Sequence, residues 1–113
     1  MRVISQNGKS DIPYEYFAFS IVGNGSGYSI IATRNIAEPP EVAINSVIAT
    51  YFTKEKAYKA MEMLKEHYGL LSFMKLIAGT AKYEIFINRF TEDDFIKATT
   101  EYFQFPQDDE IEV

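Results

Sequence analysis

The sequence contains no cysteine, and it has a single histidine, His67. Without cysteine no disulfide framework can form, and the opening stretch MRVISQNGKSD has no apolar signal core, so we expect a cytoplasmic protein. No apolar run reaches the roughly 18 residues that a membrane span requires, and no membrane association is expected. Basic residues are scarce, since 11 Lys and Arg stand against 16 Asp and Glu. The resulting net charge of −5 argues against direct nucleic-acid binding, which depends on clustered positive charge, and favours a basic protein partner.

The rest of the composition predicts one ordered domain that spans residues 1–113. With 113 residues, of which 47% are apolar, the chain can bury a single hydrophobic core but not two. No internal repeat or linker divides it, and the only biased stretches are a glycine-rich loop and the acidic end. Residues 107–113 are expected to form an exposed acidic tail beyond the core.

The stretch TKEKAYKAMEMLKEHYG, residues 53–69, predicts the main helix. Its apolar residues recur at helical spacing on one face: Ala57, Ala60, Met61, Leu64 and Tyr68. Lysines and glutamates occupy the opposite side, which should face solvent. Thr53 can accept hydrogen bonds from the first N–H groups, and Gly69 can adopt the left-handed conformation that ends a helix. We therefore expect a helix from Thr53 to Tyr68.

Stretches rich in aromatic and β-branched residues precede this helix and predict a sheet. Strands are expected at residues 2–6, 14–22, 28–34 and 42–52. Within the second, Phe17, Phe19 and Ile21 form the more apolar face, which should point towards the helix. Asn7-Gly8 predicts a turn, and GNGSG at residues 23–27 predicts a hairpin connection.

Three further segments complete the expected fold. Glu38-Pro39-Pro40 predicts a loop because neither proline can donate a backbone hydrogen bond. Residues 70–81 are apolar nearly all round, which leaves helix and strand open and favours a helix. Lys82 to Phe90 alternates and predicts another strand, after which Thr91 should cap a second helix near 92–102. The predicted fold class is α+β, with a small, mostly antiparallel sheet of about four to five strands covered by the Thr53–Tyr68 helix.

Few residues of the sequence are candidates for catalysis or ligand binding, and each of them has a structural explanation. His67 has no second metal ligand beside it, so it is interpreted as a surface or capping residue of the helix end. A phosphate-binding glycine loop leads into a helix, whereas GNGSG leads into a strand. Glu92, Asp93 and Asp94 suit the first turn of a helix, where the dipole favours negative charge. We therefore expect no catalytic residue, no metal and no cofactor.

Three stretches stand out at the start, middle and end of the chain: MRVISQNGKSDIPYE, ATYFTKEKAYKAMEML and YFQFPQDDEIEV. Together they resemble a family of small proteins carried by gut-dwelling Gram-positive bacteria and their phages or mobile elements, and the resemblance covers residues 1–17, 47–68 and 102–113. It supplies no activity and no catalytic residue. What it implies is an accessory protein of a phage or mobile element.

Three functions follow as hypotheses. The first is a non-enzymatic protein-interaction module, which could self-associate through a sheet edge or through the apolar segment Leu70 to Ile77. The second is an acidic nucleic-acid mimic that inhibits a DNA- or RNA-binding protein, with these candidate interaction residues: Asp108, Asp109, Glu110 and Glu112. The third is an enzyme or small-ligand binder with a pocket beside His67 and Tyr68. Tyr102, Phe103 and Phe105 are expected to dock on the domain, while the acids beyond Pro106 stay exposed.

Overall fold

A computed structural model describes residues 1–34, 45–89 and 91–112 of the chain. It is an α+β fold, as predicted, in which two three-stranded sheets are combined with one long helix and shorter helical segments. The predicted loop at Glu38-Pro39-Pro40 and the end of the predicted strand at Phe90 lie outside the described residues.

The larger sheet is antiparallel, with its strands in the order β3-β4-β5. These strands are β3 (Phe17–Asn24), β4 (Gly27–Arg34) and β5 (Asn45–Tyr51). The predicted hairpin is confirmed, since β3 and β4 pair along their whole length and only Gly25 and Ser26 connect them. Tyr14 begins a single 3-10 turn rather than the strand. The predicted inward face is confirmed, because Phe17, Phe19 and Ile21 pack against the core.

The smaller sheet joins the two ends of the chain. It contains β1 (Arg2–Ile4), β2 (Asp11–Pro13) and β6 (Tyr102–Gln104), in the order β2-β1-β6. β2 is antiparallel to β1, whereas β6 runs parallel to it. The prediction of a single sheet of four to five strands is wrong, because β1, β2 and β6 form a sheet of their own. Strands separated by roughly a hundred residues, as β1 and β6 are, leave no local signal of their pairing in the sequence. Pro13 is tolerated because β2 is an edge strand.

The main helix, α1 (Lys54–Ile77), begins where the sequence predicts and ends later. Thr53 caps it, since its Oγ1 accepts the Lys56 N–H at 3.2 Å. The prediction that Gly69 ends the helix is wrong: the helix continues for two more turns. A glycine inside a helix lowers stability by about 1 kcal/mol relative to alanine. Burial of three apolar side chains in the following turns offsets this loss: Leu71, Met74 and Ile77. The prediction that the apolar segment from Leu70 is helical is confirmed through Ile77.

Two shorter helices follow, α2 (Ala81–Ile87) and α3 (Glu92–Thr99). The prediction of a strand at Lys82 to Phe90 is wrong, because α2 occupies residues 81–87. Its alternation is compatible with a helix whose Tyr83 packs against Met74 and Ile77 across the bend. The helix predicted near 92–102 is confirmed as α3, but it ends at Thr99 because Tyr102 starts the strand that pairs with β1.

One core lies between α1 and the two sheets. Its largest completely buried side chains come from four distant parts of the chain: Val3, Ile30, Leu64 and Phe105. The predicted docking of Phe103 and Phe105 is confirmed, whereas the prediction for Tyr102 is wrong, since that residue is 54% exposed. A separate small cluster joins the end of α1 to Tyr83 of α2. The last turn of α1 therefore makes its apolar contacts outside the main core.

Candidate functional site

The acidic end of the chain is docked on the domain. Residues 108–110 form a 3-10 turn, and Ile111 behind it is only 5% exposed within the main core. Asp109, Glu110 and Glu112 face solvent, as predicted, but Asp108 is half-buried. The interpretation of 107–113 as an exposed tail is therefore corrected. Ile111 anchors the segment. Because acidic residues surround it in the sequence, its burial could not be predicted from the local pattern.

Asp108 is also fixed by polar contacts. Its Oδ1 accepts the backbone N–H of Phe52 at 2.9 Å, and its Oδ2 accepts from the Lys56 Nζ at 2.9 Å. The Phe52 N–H and the Lys56 ammonium hold the pKa of this carboxyl below its ordinary value. Because both groups belong to the first turn of α1 or precede it directly, Asp108 closes the start of the main helix. Of the other three acids proposed as interaction residues, Glu110 accepts the Gln107 N–H through its Oε1 at 2.8 Å, whereas Asp109 and Glu112 are exposed side chains.

A polar cavity of about 390 Å³ lies beside Asp108, between the β3–β4 turn and the end of β5. Its wall includes Gln6, whose side-chain amide bonds to the backbone of Thr50. The Tyr51 hydroxyl donates to the Pro106 carbonyl oxygen at 2.8 Å, and burial raises the pKa of this tyrosine. These polar groups hold distant chain segments together. The GNGSG turn contributes to the wall, and no phosphate-binding helix follows it.

His67 lies in the middle of α1, not in its last turn. Its Nε2 is 2.8 Å from the Thr100 carbonyl oxygen, and because a carbonyl can only accept, this nitrogen is the donor. Its ring also contacts Phe103 edge-on, with centroids 5.8 Å apart. His67 therefore ties α1 to the link between α3 and β6. The interpretation as a surface or helix-end residue is wrong, because α1 extends ten residues past it.

A concavity of about 440 Å³ lies where the sequence hypothesis places a pocket, but its lining includes Tyr68 and not His67. It opens between β3 and α1, and its floor is aromatic and aliphatic. The Tyr14 and Tyr68 rings stack there at 4.1 Å, and burial together with Tyr68 raises the pKa of Tyr14. Glu15 and Lys65 lie at its rim. Among the described residues, no group of three or more Asp, Glu, His or Cys side chains is arranged to hold a metal ion.

The bend between α1 and α2 carries an apolar surface. We call it the apolar corner and define it by the residues around a groove: Phe73, Leu76, Ile77, Thr80, Ala81 and Lys82. Leu76 is 79% exposed and Phe73 36% exposed, although both belong to a well-formed helix. Ile85, on the same side of α2 as Lys82, is 53% exposed. The apolar stretch from Leu70 pointed to this corner, but the exposure of Leu76 could not be inferred from periodicity.

The chain was compared with protein-family models, with curated proteins and with solved structures, and none of them matches it. Over the described ranges, the structure has no helix with the length and hydropathy of a membrane span. The candidate functions are therefore inferred from the geometry of the protein surface.

Proposed function

We propose that this protein is a non-enzymatic accessory module that binds another protein through the apolar corner. The exposure of Leu76 carries the proposal. Leaving a leucine side chain in water forgoes roughly 1.5–3 kcal/mol of burial, and here Leu76 lies beside Phe73 in the same groove. Contiguous apolar surface of this kind is typical of protein-interaction sites.

The position of the corner favours recognition. The helical bend is fixed from inside by Met74 and Ile77, which are buried with Tyr83, so the outward residues need no rearrangement to meet a partner. A surface that is already ordered loses less conformational entropy on binding. The Thr80 hydroxyl accordingly bonds to the Ile77 carbonyl oxygen at 2.6 Å and fixes the bend.

The partner of this proposal presents an apolar contact to Leu76 and Phe73 and carries positive charge away from Lys82 of the corner. The net charge of −5 attracts such a surface and speeds its association at low salt. The resemblance of the two ends and the main helix to proteins of phages and mobile elements agrees with an accessory role. A cytoplasmic setting remains part of this proposal.

A photo-crosslinking residue at position 76 tests the proposal in the cells that encode the protein. We expect one discrete crosslinked species, which mass spectrometry would identify. The matched control carries the same group at position 96, since Ile96 is an exposed aliphatic residue too but lies on α3. With the purified partner, Leu76→Ser should weaken binding about 10- to 100-fold. No discrete species at 76, or the same species from both positions, would contradict the proposal.

The acidic mimic is the second candidate, and the order of the acidic end favours it. Asp109, Glu110 and Glu112 project from a backbone segment that Ile111 anchors, and the Glu110 carboxylate is also held by the Gln107 N–H. A fixed row of charge is better suited to a basic surface than a mobile one. Replacing these three acids by Asn or Gln should abolish salt-sensitive binding to a basic partner while Leu76→Ser leaves it intact; the opposite pattern favours the apolar corner.

A further inference from the structure

The two sheets have four outer strands, β2, β6, β3 and β5, and these differ in how well their free edges are protected. An outer strand exposes unpaired backbone groups that can pair with another chain, and natural proteins protect such edges. β2 and β6 are only three residues long, and β2 carries Asp11 and Pro13. Short length, charge and proline all oppose further pairing. These two edges are protected.

The β5 edge of the larger sheet is covered by Gln6. The Gln6 N–H donates to the Ile48 carbonyl oxygen at 2.8 Å. Its side-chain amide then donates to the Thr50 carbonyl oxygen and accepts the Thr50 N–H, each at 3.0 Å. A bulge at Ile48 further interrupts this strand, because Val47 pairs with Ile31 and Ala49 with Ile30.

The β3 edge has none of these protections. Its eight residues, FAFSIVGN, include no charged residue and no proline, and β3 is regularly paired with β4 from Phe17 to Asn24. Within the described part of the chain, β3 has no second neighbouring strand. Its outward side chains Ala18, Ser20 and Val22 are all exposed and uncharged. A long, regular and charge-free edge is the kind that accepts an added strand.

An apolar groove accompanies this edge and suits the side chains of an added strand. The 440 Å³ concavity between β3 and α1 is lined by Phe17, Phe19 and Tyr68, among others. Phe17, Phe19 and Ile21 are only half-buried, whereas the inward residues of the central strand, Ile30 and Ala32, are completely buried. The inward row of β3 therefore has apolar surface left to cover.

We propose that the strand added at this edge is β3 of a second copy of the chain, antiparallel across a two-fold axis. Directly opposite residues point to the same side of a sheet, so only registers that pair inward with inward residues keep both apolar rows on the core side. The register centred on Ser20 does this and places Phe19 opposite Ile21 of the other copy. The result is a continuous six-stranded sheet with a symmetric, self-complementary interface.

The absence of charged residues from β3 gives a basic partner nothing to pair with at this edge, whereas a second β3 brings a matching apolar row. Two molecules of net charge −5 repel each other, but the paired strands place no like charges opposite one another. Added salt should therefore strengthen the self-association by screening the repulsion, whereas it should weaken binding of a basic partner at the apolar corner. The edge and the corner share no residue.

Sedimentation of the full chain at about 10–200 μM, in low and high salt, measures the self-association. We expect a species of twice the chain mass of 12.9 kDa, more populated at high salt. Ser20→Lys and Ser20→Glu each place like charges opposite one another and should weaken dimerisation about five- to tenfold. Mixing the two variants should restore the dimer, because Lys then faces Glu. A strict monomer at all concentrations, or no rescue on mixing, would overturn the proposal.

Cysteine crosslinking tests the register independently, because the chain has no cysteine of its own. Ser20→Cys should form an intermolecular disulfide readily under mild oxidation, since directly paired residues bring their Cβ atoms to roughly 4.5–5.5 Å. Thr50→Cys is the matched control, exposed in the same way but on the edge that Gln6 covers. Equal crosslinking at both positions, or crosslinking at Thr50→Cys alone, would refute pairing at β3. Crosslinking to another protein instead of a second copy would also refute it.

Discussion

The side-chain amide of Gln6 pairs with the backbone of Thr50 in both directions, as a neighbouring strand would. The same side chain donates to the Pro106 carbonyl oxygen at 3.1 Å. One glutamine thus connects the first turn, the end of β5 and the C-terminal segment.

Replacing Gln6 with alanine should therefore destabilise the protein. Three hydrogen bonds are lost, each contributing about 0.5–1.5 kcal/mol, so we expect a decrease of about 1–3 kcal/mol in the free energy of unfolding measured with urea. Gln104→Ala is the control, since the bond from its side chain to the Ser5 carbonyl oxygen is long at 3.4 Å. Equal effects of the two substitutions would contradict the bridging role of Gln6.

Ile111 should contribute strongly to stability. Its side chain is buried in the main core, so Ile111→Ala should lower the free energy of unfolding by about 2–4 kcal/mol. Ile96→Ala removes the same atoms from an exposed position and should change it by less than about 0.5 kcal/mol. Deleting residues 107–113 should destabilise at least as much as Ile111→Ala. An unchanged thermal midpoint after the deletion would contradict this prediction and would show that residues 107–113 form a free tail.

Asp108 should make stability depend on pH in the acidic range. Its pKa in the folded protein is lowered by the Phe52 N–H and the Lys56 ammonium, so the carboxylate stabilises the fold fully above its ordinary value of 3.8. That stabilisation is lost as the pH falls below 3.8 towards the lowered value. Between pH 2 and 7, the thermal midpoint of Asp108→Asn should therefore be lower than that of the wild type at neutral pH. It should also decrease less than the wild-type midpoint as the pH is lowered. Asp109→Asn should follow the wild-type curve; the same flattening there would contradict a specific role for Asp108.

Local signals explain which elements could be predicted from the sequence. The start of α1 depends on Thr53 and the apolar positions after it, all within a few residues, and the β3–β4 hairpin depends on a short glycine-rich turn. The parallel pairing of β1 with β6 depends on contacts such as Val3 with Phe103, which no local pattern encodes. The misassigned segment at α2 shows the same limit, since alternation alone cannot distinguish a strand from a helix whose Tyr83 packs on its neighbour.

The candidate surfaces were predictable to different extents. The acidic end was visible as a charge run, but the anchoring by Ile111 depends on a core formed by distant residues. The apolar segment after Gly69 was identifiable, whereas the exposure of Leu76 depends on the direction of the bend at Ala78. The charge-free run from Phe17 to Asn24 could have indicated an unprotected edge, but only the strand order shows that β3 is outermost.

Gly27 should be intolerant of a side chain although it begins a strand. Its φ is 146°, and a Cβ built there would lie 2.7 Å from the Tyr51 carbonyl oxygen. Gly27→Ala should therefore destabilise by about 1–3 kcal/mol in urea unfolding. Gly25, two residues earlier in the same turn, has no atom within 4 Å of a built Cβ and no positive φ, so Gly25→Ala is the matched control. Similar losses at the two positions would show that the turn, not the close approach to Tyr51, imposes the glycine.

Gly69 provides the sharpest test of how the main helix ends. If α1 is continuous to Ile77, Gly69 has ordinary helical backbone and open space around its Cα, and Gly69→Ala should raise the free energy of unfolding by about 0.5–1 kcal/mol. Gly79, with φ of 79°, occupies the left-handed region just after the helix, and Gly79→Ala should lower the same quantity by about 1 kcal/mol. The two substitutions add the same methyl group to exposed glycines only ten residues apart, so opposite signs can only reflect backbone conformation. A helix that ended at Gly69 would reverse the first sign, because alanine would then be forced into the left-handed region there, and residues 70–77 could not present Leu76 at the apolar corner.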